Sequence, residues 1–196
     1  MSEAQAATES PAEVDPQRFF WYGVWFAIMA FSALPLFGYR VPQLWSSYMG
    51  LLVVHEASGF FFFGHTFFSN IWAMRIRLTQ SREVGIWARG FLRKLALGVT
   101  APTAIISPLA GLMLVENWGG LTNAPWAWDA YLAFWIMAGV SIVPDVIRYA
   151  RNRNSADPRH GVLSGAIRGN IGTVMTFYII WCMITKQAIF APMLLG

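Results

Sequence analysis

Charge is scarce in this chain. Only 12% of its 196 residues are charged and 56% are hydrophobic, whereas a soluble domain carries about 25% charged residues. That shortfall excludes a large solvated surface. It also argues against a stand-alone enzyme holding a hydrophilic substrate in polar loops, because such loops are missing. Cysteine is nearly absent. The single Cys182 excludes an internal disulfide and, lying in an apolar run, says nothing of redox compartment. There is no glycine-rich phosphate loop, no cysteine pair, no nucleophile–base arrangement and no convincing internal repeat. The start of the chain lacks the basic residues and small-residue cleavage site of a secretory signal, so the first apolar run is expected to stay in the protein. The net charge of +4 does not imply nucleic acid, because the basic residues gather in loops between apolar runs.

What is present is a series of apolar runs, each close to the ~20 residues that cross a bilayer. A polar, acidic tail covers residues 1–18 and reads as disordered or loosely docked. Five spans follow, at about 19–37, 48–74, 95–115, 130–149 and 170–194. Trp21 and Trp25 fall near the start of the first, at the level of an interfacial belt. Arg75 to Lys94 holds six basic residues and one acid, mixed with Trp87, Phe91 and Leu92, and reads as an amphipathic segment on the membrane surface. Pro102 and Pro108 lie inside the third span, where neighbouring helices can satisfy the freed carbonyls. With the N-terminus cytoplasmic, 12 of the 14 Lys and Arg residues fall on one side. Only Arg40 and Lys186 fall outside that set. The bias of Lys and Arg toward the cytoplasm sets this orientation. The expected architecture is therefore all-α, a polytopic five-span transmembrane bundle forming one domain after residue 18.

The second span organises the rest. Tyr48 to Met74 reads YMGLLVVHEASGFFFFGHTFFSNIWAM. It carries His55, Glu56 and His65 at membrane depth, where ionisable groups are expensive and mark functional sites by default. At about 100° per residue the helix has two faces. Tyr48, Ser58, Gly59, Phe62, Thr66, Ser69 and Asn70 share the face of His55. Val53, Ala57, Phe60, Phe61, Gly64, Phe67, Phe68 and Ile71 lie opposite and suit lipid. In the third span, Ser107 and Gly111 are four apart, a small-residue pair that lets helices approach.

His55 and His65 are separated by ten residues, about 15 Å of rise, and point roughly 80° apart. One metal ion cannot readily take both. Each can serve a separate centre, or one can ligate while the other hydrogen-bonds. A haem iron needs one or two axial ligands, His most often. No other span carries a histidine, so a second axial ligand from this chain is left to Met113, Met137, Met175 or Met183, or the haem is five-coordinate. The plainer reading of His55 is a hydrogen bond tying two helices together. For His65 it is a bridge to another span beside Thr66 and Ser69. For Glu56 it is a carboxyl reaching interfacial water. His55-Glu56 is not the zinc-protease HExxH, because Gly59 stands where the second histidine belongs. Asp145 and Arg148 read as a helix-end ion pair. Asp129 precedes the fourth span and is placed to cap its N-terminus. His160 sits in a basic loop and reads as solvated, and Lys186 reads as reaching outward from the end of the fifth span.

His55, Gly59 and Gly64 form H-x3-G-x4-G in the organising helix. This resembles a bacterial superfamily of small helical-bundle membrane proteins. The superfamily includes membrane protoporphyrinogen oxidase, the copper-resistance D-type proteins and the membrane part of a urate-oxidising protein. The closer likeness is to an uncharacterised integral-membrane branch, through Trp72, Arg75 and Arg77 after the motif. Thr100-Ala101-Pro102 and Ala110-Gly111-Leu112 also resemble that branch. The resemblance covers roughly residues 45–150 and implies a four-helix core from spans two to five. In the oxidase branch the matching histidine is associated with haem or porphyrin, so the resemblance implies b-type haem at His55. Trp126-Ala127-Trp128-Asp129 stands where the oxidase has a His and Lys constellation, so oxidase activity is not implied.

The leading expectation is an accessory subunit of the bacterial cytoplasmic membrane. It binds b-type haem through His55, with His65, Glu56 and Gly59 as neighbouring site residues, and serves electron transfer or assembly of a larger complex. Its partners are the lipid bilayer and other membrane subunits. The alternative is a purely structural subunit packing on lipid, pigment or other helices. Two further classes stay open, a porphyrin-oxidising enzyme and a copper or proton transporter using His55, Glu56 and His65.

Overall fold

The computed structural model describes residues 16–144 and 162–191. The described residues are helical, with no strand among them. In chain order they form α1 (Pro16–Ala33), α2 (Tyr48–Thr79), α3 (Arg82–Leu95), α4 (Ala101–Val115), α5 (Pro125–Met137) and α6 (Val162–Thr185). Three helical stretches are long and apolar enough to cross a membrane: Tyr48–Thr79, Arg82–Trp118 and Ile167–Thr185. This is a membrane protein by its helices. Asp145, Arg148 and His160 lie outside the described residues.

Local chemistry sets where the helices begin and end. The Ser47 side chain accepts the Gly50 N–H at 3.1 Å and caps α2, satisfying one of the four donors a helix leaves open at its start. A short 3-10 turn, Leu34–Phe37, closes the end of α1. After α4, Gly119 and Gly120 take φ values of 85° and 88°. Two consecutive residues in that region need glycine, and they turn the chain toward α5. Pro125 opens α5 at a position where its missing N–H costs nothing.

The expected amphipathic segment is helical, and it is continuous with the helix that follows. After a break at Gln80–Ser81, α3 runs on through Ala96–Thr100 into α4 as one stretch of 37 residues. Two prolines, Pro102 and Pro108, lie within this stretch without ending it. The segment Ala96–Thr100 is a π turn, with the Ala101 N–H donating to the Ala96 carbonyl five residues back. A second π turn, Ala138–Ile142, extends α5 in the same way, with the Val143 N–H on the Ala138 carbonyl. Each π turn is followed at the second residue by a proline, Pro102 or Pro144. The helix expected over 170–194 spans Val162–Thr185, and Lys186 leaves it at φ 56°.

Helix α2 packs on α4 and α6, and α5 packs on α4 and α6, so these four close a ring. Two apolar clusters fill it. Leu51 of α2 meets Ala110, Leu112, Met113 and Leu114 of α4, Tyr131 of α5 and Val41 of the first loop. Deeper along α2, Phe62 meets Ala104, Phe134 and Met137, with Met175 and Ile179 of α6 against them. Helix α1 docks on α4, and the Tyr131 hydroxyl ties it to α5 by donating to the Ser32 carbonyl at 2.8 Å.

Candidate functional site

The two faces expected for α2 are visible in its burial. Val53, Phe60, Phe61, Phe68 and Ile71 are exposed, while Ser58 and Phe62 on the His55 side are buried. A row of exposed Phe and Ile on a helix long enough to cross a bilayer is a surface suited to lipid or to another helix. Tyr48, at the helix start on the other face, is exposed as well.

On the polar face His55 is half-buried and meets α4 at the Ser107–Gly111 pair. Its Nδ1 lies 2.8 Å from the Ser107 carbonyl. A carbonyl only accepts, so Nδ1 carries the proton and donates. In the neutral ring the other nitrogen, Nε2, then holds the lone pair. It makes no hydrogen bond with the described residues. The Ser107 hydroxyl reaches back to the His55 carbonyl at 3.5 Å. Gly111 makes the approach possible, since a Cβ there would stand 2.8 Å from Cε1 of the imidazole and 3.0 Å from Nδ1. Gly59 faces the same spot, where a Cβ would sit 3.5 Å from the Ser107 hydroxyl in ordinary contact. Among the described residues nothing lies within 4 Å of a Cβ at Gly64, so no close approach there requires the second glycine of the motif.

His65 is engaged elsewhere. Its Nδ1 shares a hydrogen bond of 2.5 Å with the Thr100 hydroxyl, at the end of the first π turn. Its Nε2 is buried without a partner, as is the Thr66 hydroxyl. His65 therefore bridges α2 to the next membrane stretch, and the structure does not bring it together with His55. Replacing Thr100 with valine keeps the shape and leaves His65 with no partner at either nitrogen. The expected cost is about 1 kcal/mol, the scale of one hydrogen bond between helices in a membrane. Thermal unfolding in detergent checks it, and an unchanged midpoint would show that the bond contributes nothing.

Glu56 is exposed and forms no hydrogen bond with the described residues. Its charge reaches Lys186, just beyond the apolar stretch of α6. Partial desolvation pushes that lysine below its usual range, while the Glu56 carboxylate pulls it back up. Lys186 does not simply point outward. Its Nζ lies 3.7 Å from the centre of the Trp126 ring, a cation–π contact that an interfacial Trp favours. Among the described residues no group of three or more His, Cys, Asp or Glu could hold a metal ion. Of the four methionines considered as second ligands, two lie in the core. Met113 and Met137 are buried, and the Met137 sulfur accepts the Thr176 hydroxyl at 3.4 Å.

Asp129 is the main departure from expectation. It does not cap α5, because Pro125 starts that helix four residues earlier and carries Asp129 inside it. There it is 1% exposed. Its Oδ2 accepts the Tyr178 hydroxyl at 2.5 Å and the N–H groups of Ile189 and Phe190 at 2.6 and 2.9 Å. Its Oδ1 accepts the Ala191 N–H at 2.6 Å. One carboxylate thus holds the chain that follows α6 against α5. The only sequence signal was an acid beside an apolar run, and every partner lies 49 to 62 residues away. No family model, curated protein or solved structure matches the chain.

Proposed function

We propose that the protein is an accessory subunit of a bacterial cytoplasmic membrane. In this reading it crosses five times with its N-terminus inside and binds b-type haem through Nε2 of His55. The observation that supports the haem reading is the hydrogen bond from Nδ1 of His55 to the Ser107 carbonyl. Metal-ligating histidines generally donate their other ring N–H to a carbonyl or carboxylate, which sets the tautomer and orients the ring. His55 has that arrangement, with Gly111 giving the imidazole its place against α4. The chain's own part would be to hold the ligand nitrogen, orient it and keep it among apolar helices. A bound haem would supply a one-electron redox centre. With Met113 and Met137 committed to the core, the reading favours a haem with no methionine ligand from these two positions. The arrangement also fits the resemblance of H-x3-G-x4-G to the superfamily that contains membrane protoporphyrinogen oxidase.

The test is an absorption spectrum of the protein purified in mild detergent, oxidised and then dithionite-reduced. A Soret band with a sharp reduced α-band supports the reading. A spectrum with neither band, and no iron by elemental analysis, overturns it. A second reading, a structural subunit packing on other helices or pigment, rests on a different observation, the exposed row Val53, Phe60, Phe61, Phe68 and Ile71. It predicts that polar substitutions on that row disrupt a larger complex while His55→Ala leaves it assembled.

A further inference from the structure

We propose that the hairpin between α2 and α3 is a binding site for anionic phospholipid headgroups. The inference rests on the chain being a membrane protein and not on the haem reading. Residues 75–94 contain six Lys and Arg and one acid, Glu83. Of these bases, Arg75, Arg82 and Lys94 are exposed. Helix α2 ends where the Gln80 N–H meets the Ile76 carbonyl, and the Ser81 hydroxyl accepts the Val84 N–H at 3.4 Å as α3 begins. Helix α3 then packs back on α2. The fold-back brings Phe91 edge-on to Trp72, with ring centres 6.3 Å apart, and stacks Phe91 on Trp87 at 5.6 Å. All three rings are exposed, Trp87 to 64%.

Charge complementarity chooses an anionic partner, and the rings choose a lipid over a soluble anion. A dissolved polyanion or free phosphate uses only the cations and leaves the indoles in water. A bilayer uses both, because Trp sits at headgroup level and each nearby Lys or Arg attracts anionic lipid. Orientation during insertion requires only the excess of positive charge. It does not require aromatic rings from two helices gathered at one spot, so the cluster points to recognition that persists in the folded protein.

The full-length protein, purified in mild detergent, is titrated with phosphatidylglycerol or phosphatidylcholine, and bound lipid is counted by native mass spectrometry. Phosphatidylglycerol is expected to be retained at the lower concentration. The triple variant R75Q/R82Q/K94Q should lose that preference, by about fivefold per residue removed. Arg40→Gln, at the other end of the bundle beside Glu116, should keep it. Equal retention of the two lipids by the native protein would overturn the proposal without any variant. So would a preference that survives in the triple variant. Displacement of phosphatidylglycerol by inorganic phosphate at matched concentration would also overturn it, showing a bare anion site.

Discussion

Replacing Asp129 with alanine is expected to destabilise the protein by about 3–5 kcal/mol, through the donors it leaves without an acceptor. The carboxylate serves four donors at once. Alanine leaves the Tyr178 hydroxyl and three amide N–H groups without an acceptor. Each buried orphan costs about 1–3 kcal/mol. The total stays below four full penalties because Ile189 and Phe190 are about half exposed and water can reach part of that backbone. Asparagine separates shape from charge. Its carbonyl can replace Oδ2, which takes three of the four donors, but its amide would then face the Ala191 N–H. Asp129→Asn should therefore cost about 1–2 kcal/mol, and Tyr178→Phe about 1 kcal/mol. Thermal unfolding in detergent gives the order. Hydrogen exchange at residues 189–191 gives the mechanism, since those amides should lose protection in D129A before α6 does. Equal stability of D129A and D129N would mean that the carbonyl oxygen is not the group that matters.

The second large effect concerns His55. If Nε2 ligates haem, His55→Ala should remove the Soret band almost completely while the helix content stays. The loss to folding is about 1 kcal/mol, the bond to Ser107, too little to unfold the bundle. Gly111→Ala is the sharper test, because it leaves the histidine present. The added Cβ would stand 2.8 Å from Cε1, closer than packed carbons approach, so the imidazole or α4 must move. Overpacking of this kind costs about 1–3 kcal/mol and would shift the ligand nitrogen. G111A should therefore bind haem weakly or with an altered reduced spectrum. Ser107→Ala should do neither, since His55 bonds the backbone carbonyl at 107 and loses only a 3.5 Å contact. A native spectrum in both His55→Ala and Gly111→Ala would end the case for His55 as the ligand.

The parts of this fold that were legible in the sequence are those governed by short periods. The two faces of α2 follow from 3.6 residues per turn. Val53, Phe60 and Phe68 are exposed and Ser58 and Phe62 buried as that period requires. The pairing of Ser107 and Gly111 was legible for the same reason, and so was the bridging of His65 to another stretch. What could not be read was any contact whose partners are far apart in the chain. Asp129 looked like a local cap because its three amides near residue 190 carry no sequence mark. Lys186 looked free to reach outward, but its partner is Trp126, 60 positions back. The continuity of α3 with α4 was hidden by composition. Charge falls away sharply after Lys94, which suggests a boundary, but the backbone has no glycine turn or early proline there to enforce one. That His55 ties two helices together was legible and its tautomer was not, since the carbonyl that sets it lies 52 residues away.

The π turn at Ala96–Thr100 sets the phase of everything after it. A ladder that reaches five residues back holds one more residue than an α turn. Every side chain beyond it is therefore rotated by about 100° from where an uninterrupted helix would put it. Helix α2 is touched on both sides of that offset, by Phe91 at Trp72 before it and by Ser107 at His55 after it. With the extra residue removed, one of these two contacts could stay in place only by swinging the other away. The wide turn thus lets one continuous stretch lay the faces of both α3 and α4 against α2.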